Sequence, residues 1–196
     1  MLRNRLSKAI EALNNGRVVV YPTDTLYAFG VNIYDNNAVR KVFKIKKRPH
    51  DIPIPVAVPN INEMKKIAFV NHTAKVLAKH FLPGSLTLVL DKKNIVPDIV
   101  TSGLKKIAIR IPNNKIALDL LDKSGPLTVT SANIHGMKTP DNIKDLKIQF
   151  SKDDIGVYLD YGILKGKSST IVDVSSIETK IIREGSIKKH DILAVI

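Results

Sequence analysis

Two apolar stretches of this sequence run directly into hydroxyl and small polar side chains. Residues 18–21 are followed by Pro22-Thr23-Asp24-Thr25, and Thr128-Val129-Thr130 is followed by Ser131-Ala132-Asn133. Strands of α/β proteins present ligand sites in this way, at the carboxyl ends of the sheet. A basic segment, residues 44–49, lies between the two blocks. Hydroxyls, an amide and cations together predict a site for an anionic ligand.

The basic segment ends a predicted helix, and its cations have two interpretations. Lys46 and Arg48 follow an apolar face formed by Val39, Val42 and Phe43. They therefore lie where cations interact favourably with the helix dipole. The segment also follows the first hydroxyl-rich block by one short helix, which lets both face one cleft. A planar guanidinium and a point-charge ammonium together suit phosphate.

The hydroxyl-rich blocks have local alternatives as well. Thr23, Asp24 and Thr25 can form a turn that satisfies its own backbone, and Ser131 and Asn133 can form a helix cap or turn. Because both blocks close apolar strands, a shared site is favoured over two unrelated turns.

Arg110 is a charged residue inside an apolar stretch, residues 107–111. Arginine is rarely buried in a strand unless it is paired. Arg110 therefore either points into the predicted cleft or lies on the solvent face of a half-exposed strand.

The stretch Gly162-Ile163-Leu164-Lys165-Gly166-Lys167-Ser168 imitates a phosphate-binding P-loop. The glycines are one residue too close together for that motif. A P-loop must also open a helix, whose N-terminal N–H groups hold the phosphates. The β-branched residues that follow, 170–174, predict a strand instead. We expect the phosphate site at Lys46 and Arg48 and not at Lys167.

The chemical blocks are carried by helices and strands that alternate early in the chain, while strands dominate late. Apolar periodicity and capping residues predict helices near 6–13, 72–81 and 114–122. Two more are predicted: one is capped at Asp35-Asn36 and ends in the basic segment before Pro49, and a short one follows an Asn60–Glu63 capping box and contains Met64 and Ile67. Apolar runs predict strands near 18–21, 30–33, 54–58, 86–90, 107–111, 127–130, 157–161, 170–174 and 181–183. The pattern indicates an α/β fold with a twisted mixed sheet and flanking helices, in a single domain over residues 1–196. Residues 137–152 and 162–168 are predicted to be mobile polar loops.

Composition limits the class of protein. The chain of 196 residues is 44% hydrophobic and 25% charged, which is typical of a soluble globular protein. It has no cysteine, and its five histidines have no ligand spacing, so no metal-binding residues are expected. No apolar run is long enough to cross a membrane and no signal peptide is visible, which predicts a cytoplasmic location without membrane partners.

The formal net charge of +13 is the strongest compositional feature. It favours polyanionic partners such as nucleotides or nucleic acid. The alternative is a general richness in lysine, because the lysines are spread through the whole chain. With 5% aromatic residues, the chain lacks the stacking surface of an RNA-binding module, so any binding of tRNA or double-stranded RNA is predicted to be weak and electrostatic.

The ordered blocks resemble the YrdC family. The matching motifs run from Pro22-Thr23-Asp24-Thr25-Leu26-Tyr27 and Gly30, through Lys46-Lys47-Arg48-Pro49 and Pro53 with Pro55-Val56, then Pro83-Gly84 with Thr87, Arg110-Ile111-Pro112, Ser131-Ala132-Asn133 with Gly136, Ser169-Thr170-Ile171-Val172-Asp173, and Arg183 with Gly185. The resemblance covers nearly the whole chain. Departures such as Ala28-Phe29 after the tyrosine and His135 lie at the motif edges and concern fine specificity.

The resemblance implies a YrdC-like fold and a threonylcarbamoyl-AMP synthase activity. Such an enzyme uses ATP, L-threonine and bicarbonate with Mg²⁺, and releases pyrophosphate. Its product serves a downstream threonylcarbamoyl transferase that modifies tRNA next to the anticodon. Two alternatives stay open: a non-enzymatic RNA-binding module, and carbamoyl-adenylate chemistry with another acceptor.

The resemblance also implies roles for individual residues. Lys46 and Arg48 are expected to stabilise the triphosphate during the reaction. The nucleotide site is expected to comprise Lys46, Arg48, Ser131, Asn133, Ser169 and Arg183. The threonine and carboxylate site is expected to comprise Thr23, Tyr27, Arg110 and Thr130.

Overall fold

The computed structural model describes residues 2–151 and 153–196. The helices are α1 (Leu2–Asn14), α2 (Asn36–Lys46), α3 (Ile61–Ile67), α4 (His72–Phe81), α5 (Asp98–Thr101), α6 (Lys115–Ser124), α7 (Ile143–Gln149) and α8 (Lys189–Leu193). The strands are β1 (Val18–Pro22), β2 (Tyr27–Gly30), β3 (Val56–Ala57), β4 (Leu86–Asp91), β5 (Lys106–Arg110), β6 (Leu127–Thr128), β7 (Thr130–Ser131), β8 (Ile155–Tyr158), β9 (Thr170–Asp173) and β10 (Lys180–Arg183). The α/β class is confirmed.

The strands form two mixed sheets rather than the one that we predicted. The first has the order β7-β2-β1-β8 and the second the order β10-β9-β4-β5-β3-β6. Each contains parallel and antiparallel pairs: β1 is antiparallel to β2 and parallel to β8, and β4 is antiparallel to β5 and parallel to β9. A mixed sheet of this kind is typical of a chain whose helices pack on the sheet faces without a regular βαβ repeat.

The two sheets are joined by a strand that changes partner. We predicted one strand over residues 127–130, but it breaks at Val129. β6 pairs with β3 of the second sheet, and β7 pairs with β2 of the first. Hydrophobicity alone cannot reveal such a switch, because the residues on both sides of Val129 are buried in the same way.

Helix α1 buries the apolar face that its spacing predicts. Ala9 and Leu13 are buried and Leu6 and Ile10 are half-buried against a core cluster that includes residues of β1 and α6. Gly16 follows with a φ of 61°, a left-handed conformation that favours glycine after a helix. The helix therefore covers the first sheet and fixes the start of β1.

Helix α2 delivers the basic segment to the site. The Asp35 carboxylate caps its start by accepting from the N–H groups of Asn37 and Ala38. Val39, Val42 and Phe43 are buried, as predicted.

The helix ends at Lys46 because Lys47 adopts a left-handed conformation with a φ of 50°. Its N–H and that of Arg48 bond back to the carbonyl of Phe43. This turn ends the helix, so that Arg48 lies just beyond the helix end.

Three predictions of local structure were wrong. Residues 137–152, predicted to be a mobile loop, contain α7, whose Asn142 cap accepts from the Asp145 N–H and whose Ile143 and Leu146 are buried. Lys152 lies outside the described residues. The spacing of residues 76, 77, 80 and 81 predicts that His80 points inward at least in part, but His80 is exposed. The second strand lies at Tyr27–Gly30 and not at 30–33. Helix α7 and strand β2 both make contacts with distant segments: Ile143 and Leu146 join the main core cluster, and β2 pairs with β7.

No helix within residues 2–151 or 153–196 is both long and apolar enough to cross a membrane.

Candidate functional site

A cavity of about 370 Å³ lies where the two sheets meet. Its walls come from β2 and β7 of the first sheet, from β4, β5, β9 and β10 of the second, and from the loops after β1, α2 and β8. This volume falls in the range of small-molecule sites. The polar ends of several strands converge here, as the two hydroxyl-rich blocks predict.

The structure brings most of the predicted site residues to this cavity. Eight of them line it: Thr23, Tyr27, Arg48, Arg110, Thr130, Ser131, Ser169 and Arg183. Lys46 and Asn133 lie behind the wall and connect to it through Ser131. The three cations that line the cavity are arginines, and its lining residues include no Asp or Glu. The cavity is therefore suited to an anion.

Lys46 is buried at the last position of α2, with 1% of its surface exposed. Its Nζ donates to the backbone oxygens of Ser131 and Asn133 and, at 2.9 Å, to Asn133 Oδ1. Ser131 Oγ donates to the same Oδ1 at 2.7 Å. The ammonium thus holds the Ser131–Asn133 turn at the edge of the cavity, a role that the sequence did not indicate.

The charge of Lys46 is sensitive to its surroundings. Burial, together with the positive charge of Arg48, lowers the pKa of Lys46 from 10.5 to about 7. The three oxygen acceptors favour the ammonium form and oppose this shift, but burial outweighs them. A negative ligand close to Lys46 would raise the pKa again, because an opposite charge favours the charged form.

Arg48 points into the cavity with part of its guanidinium available. Nε donates to the Ile52 carbonyl at 3.0 Å, and Nη2 donates to the Pro53 carbonyl at 2.7 Å. Among the described residues, Nη1 has no hydrogen-bond partner. Burial lowers the pKa of Arg48, but an arginine retains its charge at neutral pH. Two backbone carbonyls therefore aim a fixed cation at the ligand space.

Arg110 forms a buried ion pair with Asp24, a residue that the sequence analysis did not assign to the site. Nη2 donates to both carboxylate oxygens at 2.7 and 2.9 Å and to the Gly84 carbonyl at 3.0 Å, while Nη1 donates to Thr25 Oγ1 at 3.0 Å. Asp24 also accepts from the Asn113 N–H. Of the two placements considered for Arg110, the cleft is the observed one.

This pair changes what Arg110 can do. Because Asp24 balances its charge, Arg110 attracts an anionic ligand less strongly than Arg48 does. Its Nε is buried and has no hydrogen-bond partner within residues 2–151 and 153–196. The signal that could have identified Asp24 was present in the sequence, since Asp24 lies inside the block that carries Thr23 and Thr25.

Thr23 forms the self-satisfied turn that was one of its two interpretations. Its Oγ1 accepts from the N–H groups of Thr25 and Leu26 at 3.1 Å and donates to the Leu26 carbonyl at 2.7 Å. Thr23 also lines the cavity. The turn therefore rigidifies the wall that carries it.

The segment that imitates a P-loop forms a wall of the site. Tyr27 Oη donates to the Gly162 carbonyl at 2.7 Å and accepts from the Tyr161 N–H at 2.9 Å. A Cβ on Gly166 would lie 2.2 Å from the Thr25 carbonyl oxygen. No helix follows, because the next element is β9. Gly166 is thus required by close packing against Thr25 rather than by a phosphate cradle.

The far wall is closed by an edge strand. Arg183 on β10 donates from Nη2 to the Ser169 carbonyl at 2.8 Å, and the hydroxyls of Ser169 and Thr87 are 2.8 Å apart. Arg183 is itself exposed at the rim. Ser169 directly precedes β9 and Arg183 ends β10, which pairs with β9, so the two residues lie together at the mouth of the cavity.

Comparisons with known proteins agree in sequence and in structure. The family model of the Sua5/YciO/YrdC proteins, described as "Telomere recombination", matches residues 11–185. A putative threonylcarbamoyl-AMP synthase of Methanocaldococcus jannaschii is 40% identical over 174 residues, which cover 88% of this chain and 82% of that protein. The threonylcarbamoyl-AMP synthase of Pyrococcus abyssi is 35% identical over 187 residues, 94% of this chain but 55% of that protein.

The structural comparison extends the similarity to a ligand complex. A crystal structure of P. abyssi Sua5 complexed with L-threonine superimposes with a TM-score of 0.93 at 34% identity, over 97% of this chain and 57% of that one. The chain thus spans little more than half the length of the P. abyssi protein. The predicted fold, with the correction of one sheet to two, is therefore the fold of that protein's matching part.

Proposed function

Because the chain belongs to the Sua5/YciO/YrdC family, we propose that it makes threonylcarbamoyl-AMP and pyrophosphate from L-threonine, bicarbonate and ATP. The observation that carries the proposal is the cavity between the sheets, which is lined by three arginines and several hydroxyls and by no carboxylate. A reaction that joins two anions needs such an environment. P. abyssi Sua5, which has this fold, was solved with L-threonine bound.

The proposed reaction proceeds in two steps. The threonine amine attacks bicarbonate or carbon dioxide and forms a carbamate; from bicarbonate one water leaves, and with carbon dioxide one amine proton passes to the solvent. A carbamate oxygen then attacks the α-phosphorus of ATP, the bond to the bridging oxygen breaks, and pyrophosphate departs with the electron pair. The protein supplies no nucleophile in this scheme. Its contribution is to hold two anions close together and to stabilise the charge that develops on the phosphates.

The contacts of the described residues support a division of roles. Arg48 offers its free Nη1 to the triphosphate. The Lys46 ammonium lies at the Ser131–Asn133 turn, where it would add positive charge near the phosphates. Ser131 and Asn133 would turn their side chains from each other to phosphate oxygens, and Ser169 with Arg183 would close over the nucleotide.

The threonine pocket in this proposal is formed by Thr23, Tyr27, Arg110 and Thr130. Three of the four are already fixed by bonds to the protein: Thr23 by its turn, Tyr27 by Gly162 and Arg110 by Asp24. A pocket that is held in place in this way pays little ordering cost when its substrate binds.

Magnesium is expected to enter with ATP. Among the described residues, no three His, Asp or Glu side chains are grouped as a metal site. Mg²⁺ commonly retains water and uses phosphate oxygens as ligands. The proposal therefore places it on the triphosphate. It also includes weak electrostatic RNA contact, and delivery of the product to a transferase that modifies tRNA.

Pyrophosphate release from ATP is expected to require L-threonine and bicarbonate together. The measurement is a coupled pyrophosphate assay with purified protein, MgATP and each co-substrate omitted in turn. Serine is expected to be poorer by about 5- to 150-fold in kcat/KM, because the loss of one methyl contact costs roughly 1–3 kcal/mol.

The same assay separates the alternatives. Turnover that needs bicarbonate but accepts another amine better than threonine would indicate carbamoyl-adenylate chemistry with a different acceptor. ATP binding without pyrophosphate release in the complete mixture would contradict the synthase proposal, and RNA affinity under those conditions would favour the RNA-binding module.

Binding of ATP at pH 8 is expected to take up close to one proton at Lys46. In the free protein a pKa of about 7 leaves this amine mostly neutral at pH 8, and the nearby triphosphate favours the ammonium form. At pH 6 the amine is already protonated, so the uptake is expected to vanish. Calorimetric titration in buffers of different ionisation enthalpy measures it. Lys46→Met should abolish the uptake and Lys167→Met should preserve it; equal uptake at pH 6 and pH 8 would contradict the assignment.

A further inference from the structure

A second concave surface lies between α3 and α4, outside the cavity already described. This α3–α4 groove has a volume of about 370 Å³. Its floor is aliphatic and consists of Ile61, Ala78, Leu82, Pro83 and Ile111. Ala78 and Ile111 are buried, Ile61 and Leu82 are half-buried, and Pro83 is exposed. The floor therefore presents apolar surface that no segment of the described chain covers.

Three lysines line the same groove: Lys65 on α3, and Lys75 and Lys79 on α4. All three are exposed, and none has an ion-pair partner among the described residues. The carboxylate that α3 carries, Glu63, is paired with Lys66. Lys75 and Lys79 are one helical turn apart on the same face, where like charges destabilise a helix. Negative charge placed over this rim would relieve that repulsion.

We propose that the α3–α4 groove is a docking site for an acidic segment of a partner protein that inserts apolar side chains. Aliphatic side chains would fill the floor, and Asp or Glu residues beside them would pair with the three lysines. An amphipathic helix laid into a groove has this pattern, with apolar anchors on one face.

The chemistry of the groove distinguishes a protein partner from other anions. Its lining residues include no aromatic ring on which a nucleic-acid base could stack. Small-molecule sites enclose most of the ligand surface. The floor of this groove instead lies open between two surface helices, and three of its five residues are half-buried or exposed. An extended apolar surface with a charged rim is typical of a protein interface.

The groove shares its wall with the substrate cavity. Ile111 and Pro83 line the groove, while Arg110, the chain neighbour of Ile111, lines the cavity. The N–H of Gly84 donates to the Ile111 carbonyl at 2.8 Å, and Arg110 Nη2 donates to the Gly84 carbonyl. The groove and the cavity are thus linked through the hydrogen-bonded backbone of residues 84 and 111 and the side chain of Arg110. The inference does not depend on the proposed reaction, and its test involves no turnover.

The test measures fluorescence anisotropy of a labelled peptide of about 14 residues, with leucines at i, i+3, i+4 and i+7 spacing and glutamates elsewhere. The groove variant Lys65→Glu/Lys75→Glu/Lys79→Glu is expected to bind it at least about ten-fold more weakly than the parent, because three attractions become repulsions. Ala78→Gln, which fills the floor with a polar side chain, is expected to weaken binding similarly. Thermal melting checks that each variant is folded.

The control variant Arg5→Glu/Lys8→Glu/Lys123→Glu makes the same change in net charge on the α1–α6 face, and it is expected to change affinity by less than about three-fold. Equal losses in the two triple variants would mean a general field effect and would overturn the proposal. So would undiminished binding of a peptide whose leucines are replaced by alanines, since the floor would then be unused. Tighter, lysine-dependent binding of an oligouridylate of equal charge would make the groove a nucleic-acid site instead.

Discussion

Replacement of Arg48 by alanine is expected to lower kcat/KM for ATP by about 10- to 150-fold. The guanidinium is aimed into the cavity by the carbonyls of Ile52 and Pro53, and a hydrogen bond to a charged group contributes about 1.5–3 kcal/mol. Arg48→Lys is also expected to be impaired, because a lysine cannot bond to both carbonyls and still present a planar fork. Steady-state kinetics with MgATP as the varied substrate measure the effect.

Lys46→Ala is expected to reduce kcat/KM at least ten-fold as well, for an additional reason. It removes the donor that holds the oxygens of Ser131 and Asn133, so the turn beside the cavity loses its anchor. Lys167→Ala is the matched control: Lys167 is exposed in the segment that only imitates a P-loop, and a small loss is expected. A larger loss at Lys167 than at Lys46 and Arg48 would place the phosphates elsewhere.

Asp24→Asn is expected to lower the free energy of unfolding by about 3–5 kcal/mol, because it leaves the charge of Arg110 buried and uncompensated. Arg110 is 4% exposed and Asp24 is its carboxylate partner. Denaturant titration of the parent and the variant measures the difference. This is the largest effect on stability that we expect from a change of one or two atoms in this chain.

A second ion pair provides the control for that experiment. Lys106 and Asp173 are 2.9 Å apart, but the Lys106 side chain is 41% exposed. Lys106→Met is therefore expected to cost no more than about 1 kcal/mol. The double variant Asp24→Leu/Arg110→Met should be more stable than Asp24→Asn, since it leaves no unpaired charge. If the free energy of unfolding of Asp24→Asn lies within about 0.5 kcal/mol of that of the parent, the ion pair does not stabilise the fold.

The parts of the site that follow local rules were predictable from the sequence. The Asp35 cap, the apolar face of α2 and the following basic segment lie within residues 35–49, and the structure arranges them as local capping and periodicity require. The rejection of the P-loop rested on local geometry too, because β-branched residues after Ser168 predicted the strand β9 that is observed.

The parts that depend on distant residues were not predictable. Asp24 and Arg110 are 86 positions apart, and nothing in the sequence says which carboxylate meets which guanidinium. The same holds for Gly166, which looks like a flexible loop residue but is needed where the backbone of Thr25 passes within contact distance. The division into two sheets depends on a change of partner at Val129 that leaves no mark in hydrophobicity.

The strand that changes sheets, residues 127–131, couples the stability of the two sheets to ligand binding in the cavity. The backbone of Thr128 pairs with Val56 in the second sheet, while its hydroxyl donates to Phe29 and accepts from the Val31 N–H at the first. Neither sheet can separate from the other without breaking these bonds. Partial opening that frees one sheet therefore also dismantles the cavity, and a ligand that binds there opposes every such opening. Ligand binding therefore stabilises both sheets. When the cavity is filled, amide hydrogen exchange is expected to slow throughout the interior of both sheets.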